Sequence, residues 1–487
     1  MKSFIFLLFL SLSAIGYSQG DADLFRFSKT QIYGSSRFEA MGGAFGALGA
    51  DLSASQINPA SFGRFSSSQT YFSLGYLNTK NKVLFQGDET ITNRSSFKPN
   101  SIGAVFVEDD SDRMSGYQYI QFGLGFNRLQ NFNNKFEYSG YQYESLLEAF
   151  AASAKGVPWE NLYITHPFTS SLAWETYTID PDGSAGYVAV LNNDGDQFHR
   201  RSVETKGGMN EYYISLSGNY MNAIYVGANI GFRTINYEET TNHYEEVTDT
   251  TGNDLRSFDY SYNLLTKGNG ANLKLGFIYL PRDNFRLGFA FHTPTFYELT
   301  DDTRADMTAQ FNYGERIVID SLKPIGNYKY KLRTPPKFVT SAAYVFGTRG
   351  CLSMDVEYVN YAWANLRSTN DPQYQDYDFT IENNAAKEIL QSAVNIGVGA
   401  ELVFNSVVFL RGGLRLSSKA YNDKVQVENG WDKTISTGVG YKSGNWVFNL
   451  SARKMYLSRN YFAFQGSMAQ NKMNQTSITL DFNYFID

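Results

Sequence analysis

Proton transfer and metal binding most often recruit histidine, and this chain has four: His166, His199, His243 and His292. They are scattered. The first three fall in predicted loops, and His292 lies on the polar side of a predicted strand, sharing that face with Arg286. No His-Glu-x-x-His, Cys-x-x-Cys, phosphate-loop or Gly-x-Ser-x-Gly pattern occurs. With no nucleophile–base pair to argue from, no catalytic residue is assigned and an enzyme is not expected. Two runs, Asp180-Pro181-Asp182-Gly183 and Asn192-Asn193-Asp194-Gly195-Asp196, have the composition of calcium loops. Both lack the full spacing and the closing Glu at the twelfth position, so they read as solvated turns; no metal and no cofactor is expected. Cys351 is the only cysteine, which excludes an intramolecular disulfide and leaves it a small filler in a strand.

The remaining reactive groups are charges set at strand spacing: Asp355, Glu357, Glu401, Arg411, Arg415, Arg453 and Asp481. Each stands on the face opposite a row of apolar side chains. In 394–404, Val394, Ile396, Val398, Ala400, Leu402 and Phe404 alternate with Asn395, Gly397, Gly399 and Glu401. The next strand sets Val408, Leu410, Leu414 and Leu416 against Arg411, Gly413 and Arg415. A period of two with one apolar face is a strand signature. Charges crowded onto the other face need partners, so these are expected to pair and hold an interior together.

About fourteen such strands are predicted, near 69–78, 100–107, 117–128, 209–220, 223–238, 270–280, 284–299, 336–347, 350–364, 391–404, 406–420, 432–442, 445–459 and 475–486. Short turns near 221–222, 282–283, 348–349, 405–406 and 443–444 alternate with longer polar loops, the longest over about 129–208. That alternation predicts an all-β fold: a transmembrane antiparallel up-and-down barrel, apolar outside and polar within. Aromatics near strand ends, Tyr441, Trp446, Tyr456, Tyr461, Phe462 and Tyr484, are candidates for interfacial girdles. Within the long loop, 143–154 has helical spacing and stops at Gly156 and Pro158. The composition agrees, with 38 Phe, 35 Tyr and 42 Gly against 11 Pro. A net charge of −6 without a basic cluster argues against nucleic acid as a partner.

Residues 1–18 read as a signal peptide: Lys2, then an apolar run from Phe4 to Leu12 too short to span a bilayer as a helix, then small residues at Ala14, Gly16 and Ser18. Residues 19–68 lack strand alternation and carry glycines at 34, 42, 43, 46, 49 and 63 among Phe38, Met41, Phe45 and Leu48. They are predicted to form an N-terminal hatch in the lumen of a barrel spanning 69–487, because about fourteen strands enclose more space than side chains alone fill.

Here the residues resemble a known family. Ser35-Ser36-Arg37-Phe38-Glu39-Ala40-Met41-Gly42-Gly43-Ala44-Phe45, Asp51-Leu52-Ser53-Ala54 and Ile57-Asn58-Pro59-Ala60 are similar to the hatch of FadL-type outer-membrane transporters of long-chain fatty acids and aromatic hydrocarbons. Weaker similarity continues through Lys267-Gly268-Asn269-Gly270, Leu332-Arg333-Thr334-Pro335-Pro336 and the C-terminal strand pairs. The resemblance implies an integral protein of the bacterial outer membrane that takes up a hydrophobic ligand passively and releases it sideways at a kink in the third strand. It implies a ligand site at Phe38, Met41, Phe45, Leu48, Asn58, Pro59 and Ala60, and a strand kink at Gly123, Gly125 and Asn127. The implied partners are a hydrophobic small molecule and outer-membrane lipid. The start, Gln19-Gly20-Asp21-Ala22-Asp23, is more acidic than the family's. An alternative reading is a non-transporting barrel serving as a scaffold or accessory subunit with outer-membrane partner proteins.

Overall fold

The computed structural model describes residues 20–110, 116–183, 185–191, 195–249, 251–252, 254–318, 322–369, 371–372, 374 and 377–486. The expected signal peptide and Asn192-Asn193-Asp194 lie outside them. Fourteen antiparallel strands close on themselves. They are β1 (Gln69–Phe85), β2 (Asp88–Asp109), β3 in two pieces (Tyr117–Asn131 and Asn134–Gln142), β4 (Gln197–Tyr220), β5 (Ile224–Glu246) and β6 (Leu255–Arg282). β7 (Phe285–His292 and Phe296–Phe311), β8 (Ile325–Arg333 and Lys337–Val345) and β9 (Gly350–Asn360 and Asn365–Ser368) are each interrupted once. β10 (Ser392–Phe404), β11 (Val408–Ser417), β12 (Asp432–Ser443), β13 (Trp446–Phe464) and β14 (Ser467–Phe485) complete the wall, and β14 pairs with β1 from Gln69↔Phe485 to Leu84↔Gln470.

Pairing of β14 with β1 leaves the wall no open end strand, which a lipid environment requires. Outward side chains in the half nearer the termini are apolar and exposed: Tyr212, Ile214 and Leu216 on β4, Val226, Ile230 and Phe232 on β5, Leu273, Leu275, Phe277 and Tyr279 on β6. Trp446, Phe448 and Tyr441 mark its lower margin. Tyr461, expected in a girdle, instead turns inward. Its ring packs on Phe136 at 5.0 Å and its hydroxyl accepts from Arg201 Nε at 3.0 Å.

Beyond that belt the strands run on. β4, β5 and β6 have 24, 23 and 28 residues, where about 9–11 cross a bilayer. The long connection is therefore shorter than expected: 129–131, 134–142 and 197–208 are strand, leaving 143–196 as the loop. Helices that bear on the interior and the rim include α1 (Asp21–Ser28), α2 (Ser36–Ala40) and α3 (Leu146–Ser153). α3 stands where helical spacing predicts it, with Ser145 and Glu148 forming a capping box.

Residues 20–68 contain no strand, so their backbone groups need partners from elsewhere. Inward side chains of the wall supply many. Asp355 accepts from the amides of Phe45 (3.0 Å) and Gly46 (3.0 and 3.1 Å), and Asp481 accepts from Ser36 N. Gln121 Nε2 donates to Gly63 O (3.2 Å) and Phe65 O (2.9 Å), and Arg286 donates to Leu48 O at 2.7 Å. Glu401 takes Arg37 on two bonds of 2.9 Å and Arg411 at 2.6 Å. The close fit needs glycine in the wall. A Cβ on Gly276 would stand 2.0 Å from Asn58 Oδ1, and one on Gly413 2.3 Å from Gly42 N.

Candidate functional site

At β3 neighbouring strands of the wall part company over many residues. Its ladder with β2 runs from Asp109↔Tyr119 to Ser101↔Asn127 and stops. Among the described residues, Asp88–Asn100 of β2 has no backbone partner on that side, though Asp88–Pro99 stays paired to β1, with a bulge at Asn100. A register shift at Arg128/Gln130 and the break at 132–133 turn the rest of β3 inward. Asn134–Gln142 keeps its ladder with β4. It also lies against the inner side of β1 and β2: Asn81 Nδ2 reaches Lys135 O at 2.8 Å, and Phe85 meets Tyr138 at 4.5 Å.

Side chains close the seam. Arg94 pairs with Glu204 at 2.9 Å, Asn131 Nδ2 donates to Ser96 Oγ at 3.1 Å, Arg128 Nε to Pro99 O at 3.1 Å, and Lys98 Nζ to Gly207 O at 3.4 Å. The half-exposed Arg94–Glu204 pair contributes no more than about 1 kcal/mol. The latch is weaker than the ladder it replaces.

Inside the seam lies an aromatic chamber. Leu24 and Phe27 of α1 pack with Leu129, Phe132, Met209, Ile235 and Tyr237, all buried. Phe27 meets Phe132 edge-on at 6.2 Å and Tyr237 at 6.1 Å, while Phe25 meets Tyr361 at 5.2 Å and Tyr421 at 5.3 Å. Arg26 caps this face, 4.2 Å above the Tyr237 ring. These residues were not assigned from the sequence.

The residues expected to hold a ligand sit elsewhere. Phe38, Met41, Phe45 and Leu48 are packed with Ile57, Ala290, Val339, Ala343 and Cys351 in a separate cluster, and the first three are wholly buried. A neighbouring cavity, of about 30 Å³, is lined by Arg233, Lys274, Lys337, Arg415 and Glu357 beside Phe38, room for a water rather than an acyl chain. Asn58 caps a turn: its Oδ1 accepts from Ala60 N at 3.0 Å and its Nδ2 donates to Gly46 O at 2.6 Å and to Phe277 O at 3.2 Å. With Pro59 and Ala60 it lies against Gly227 and Gly276 of β5 and β6, away from the third strand's seam. Gly123 and Gly125 stand in fully paired strand rather than at a kink. Gly123 makes room for the Phe62 ring and Gly125 for the Tyr213 hydroxyl. Asn127 accepts from Ser101 Oγ and is the last paired residue before the seam.

A correction also concerns the histidines. His199 and His243 lie on β4 and β5 rather than in loops, and with Glu245 they form a buried trio at the outer rim. Burial pushes both imidazoles below, and the Glu245 carboxyl above, their ordinary ranges. His292 bonds Ile57 O at 2.8 Å, a structural role. Of the first Asp/Gly run, Asp180 and Pro181 stand in a short strand, and Asp182 accepts from Gly186 N at 3.0 Å.

A closed wall, apolar outside, around a polar and filled interior defines the class: a transmembrane β-barrel of fourteen strands. Solved structures with this architecture include the toluene transporter TodX of P. putida (14% identity, 94% of this chain and 99% of that one, TM-score 0.53), a FadL homologue of Pseudomonas aeruginosa (10%, 94% and 99%, 0.57) and the toluene transporter TbuX of Ralstonia pickettii (15%, 95% and 100%, 0.50). The chain thus has the fold of the FadL-type transporters. No protein-family model and no curated protein sequence matches it.

Proposed function

We propose that this protein is an outer-membrane channel for passive uptake of hydrophobic small molecules, long-chain fatty acids among them, released sideways through the β2–β3 seam. One observation carries the reading: the aromatic chamber around Phe27 and Phe132 abuts the stretch where β2 and β3 lose their ladder. The physics favours a lateral route. Each methylene is worth about 0.8 kcal/mol in apolar surroundings, so a ten-methylene chain forced through water gives up roughly 8 kcal/mol. A path from chamber to seam to lipid avoids that cost. α1 now fills the chamber, so an arriving ligand exchanges one apolar contact for another as Phe25 and Phe27 withdraw. Residues 20–68 act in this reading as the hatch that stops water and ions.

The test is uptake by liposomes carrying the full-length mature chain, offered labelled palmitate and labelled toluene side by side. Accumulation faster than in protein-free liposomes is expected for at least one of them. Rates equal to those of protein-free liposomes for both would overturn the proposal. The scaffold alternative draws on the extended outer halves of β4–β6. Purification in mild detergent distinguishes it, since a scaffold comes out with stoichiometric partners.

A further inference from the structure

The trio at the outer rim has the makings of a metal site. His199 on β4 stands directly across the ladder from Glu245 on β5, and His243 precedes Glu245 by two residues on the same inward face. Pleating therefore points all three side chains at one spot. His243 Nε2 lies 2.7 Å from Glu245 Oε1, His199 Nδ1 lies 3.3 Å from the same oxygen, and the rings are 5.7 Å apart. One ligating atom from each falls within 4.8 Å of the others. A tetrahedral ion with bonds of about 2.0–2.1 Å sets its ligand atoms roughly 3.3 Å apart, so the trio needs only small adjustments to enclose one.

A second observation points the same way. The three side chains are 98% or more buried, yet Nδ1 of His243 meets no hydrogen-bond geometry, and His199 has only the Gln142 backbone and Glu245 within reach. His243 Nε2 shares a hydrogen bond with Glu245 Oε1, but buried polar atoms are seldom left as short of partners as the other ring nitrogens are, and an ion beside the carboxylate would give their lone pairs one. Glu245 is braced from behind. Its Oε2 accepts from Ser145 Oγ and its Oε1 from Leu146 N at 2.8 Å, the outer-shell support that orients a ligating carboxylate. Phe464 and Phe258 wall the rings in. Arg201, the neighbouring cation, is engaged with Tyr461.

We propose that His199, His243 and Glu245 bind one divalent transition-metal ion of zinc type, and that this ion fastens α3 to the rim of the barrel. Two imidazoles and a carboxylate suit Zn²⁺ or Co²⁺ rather than Mg²⁺ or Ca²⁺, with the fourth position left to water. Because Glu245 holds Ser145 and Leu146 at the start of α3, the ion and the loop helix share one anchor.

The full-length barrel, purified in detergent and stripped with chelator, is titrated with Co²⁺ and followed by visible absorption. Intense bands of tetrahedral Co²⁺ saturating at one ion per chain are expected, abolished by one equivalent of Zn²⁺ and untouched by excess Mg²⁺. His199→Asn and His243→Asn, which keep polarity and bulk, should each weaken Zn²⁺ binding at least about tenfold, while His166→Ala leaves it unchanged. Resistance of the folded barrel to SDS without heating reports whether each variant folds. Wild-type protein that shows no tetrahedral bands, or binding that persists undiminished in the folded His199→Asn/His243→Asn double variant, would overturn the proposal.

Discussion

Single residues decide two things in this barrel: what keeps the interior closed and what a ligand meets. Glu401 is shared by Arg37 of the leading segment and Arg411 of the wall. Glu401→Gln leaves two cations facing a confined interior without a counter-charge, and should lower stability by about 3 kcal/mol. The check is the denaturant midpoint of the folded barrel in detergent. Phe132 is the chamber residue nearest the break in β3. Phe132→Asp puts a carboxylate into the hydrophobic path and should cut uptake of a hydrophobic solute about tenfold without loss of folded barrel. Gly413→Val tests the fit of wall to segment. Its Cβ would press on Gly42 N from 2.3 Å, backbone against backbone, and should cost about 1–3 kcal/mol by the same denaturation measurement.

At the scale of elements, the fourteen strands were legible wherever the wall faces lipid, because there the outward row is continuous: Leu352, Met354 and Tyr358, or Ile478 and Leu480. The outer halves were not. On β1 and β2 the outward row passes through Lys80, Lys82, Glu89 and Asn93, and a strand in water gives no hydrophobic alternation to read. For the same reason the polar pattern over 129–208 reads as one long loop, and His199 and His243 read as loop residues although both stand in strands. The seam was misplaced for a different cause. Gly123 and Gly125 look like a bend, yet they serve close packing of Phe62 and Tyr213. The informative signal was Pro99 on β2, a residue with no N–H to give, two residues from the end of the β2–β3 ladder. α3 was found from its spacing, and its cap can be tested. Ser145→Ala removes the side-chain bond to Leu147 N and should destabilise this helix locally by about 1 kcal/mol, seen as faster amide exchange over 146–153 with the strands unaffected.

For the whole molecule, a polar inner wall wrapped around a polar-bonded irregular segment makes a stoppered cylinder, and among the described residues its β2–β3 seam is a lateral weak line. Ions should therefore pass poorly. In planar bilayers the intact protein is expected to show no steady porin-like conductance, whereas removal of residues 20–68 from a folded barrel should produce one. Hydrophobic solutes should pass, and their passage should depend on the seam. Arg94 and Glu204 lie tip to tip across it, so Arg94→Cys/Glu204→Cys can be joined by a short, reducible bis-thiol crosslinker in a Cys351→Ala background. The decisive measurement is uptake of labelled palmitate and labelled toluene by liposomes carrying that variant before crosslinking, after it, and after reduction. Uptake that falls to the protein-free rate on crosslinking and returns on reduction is the predicted result; uptake that continues unchanged through the locked seam would contradict it.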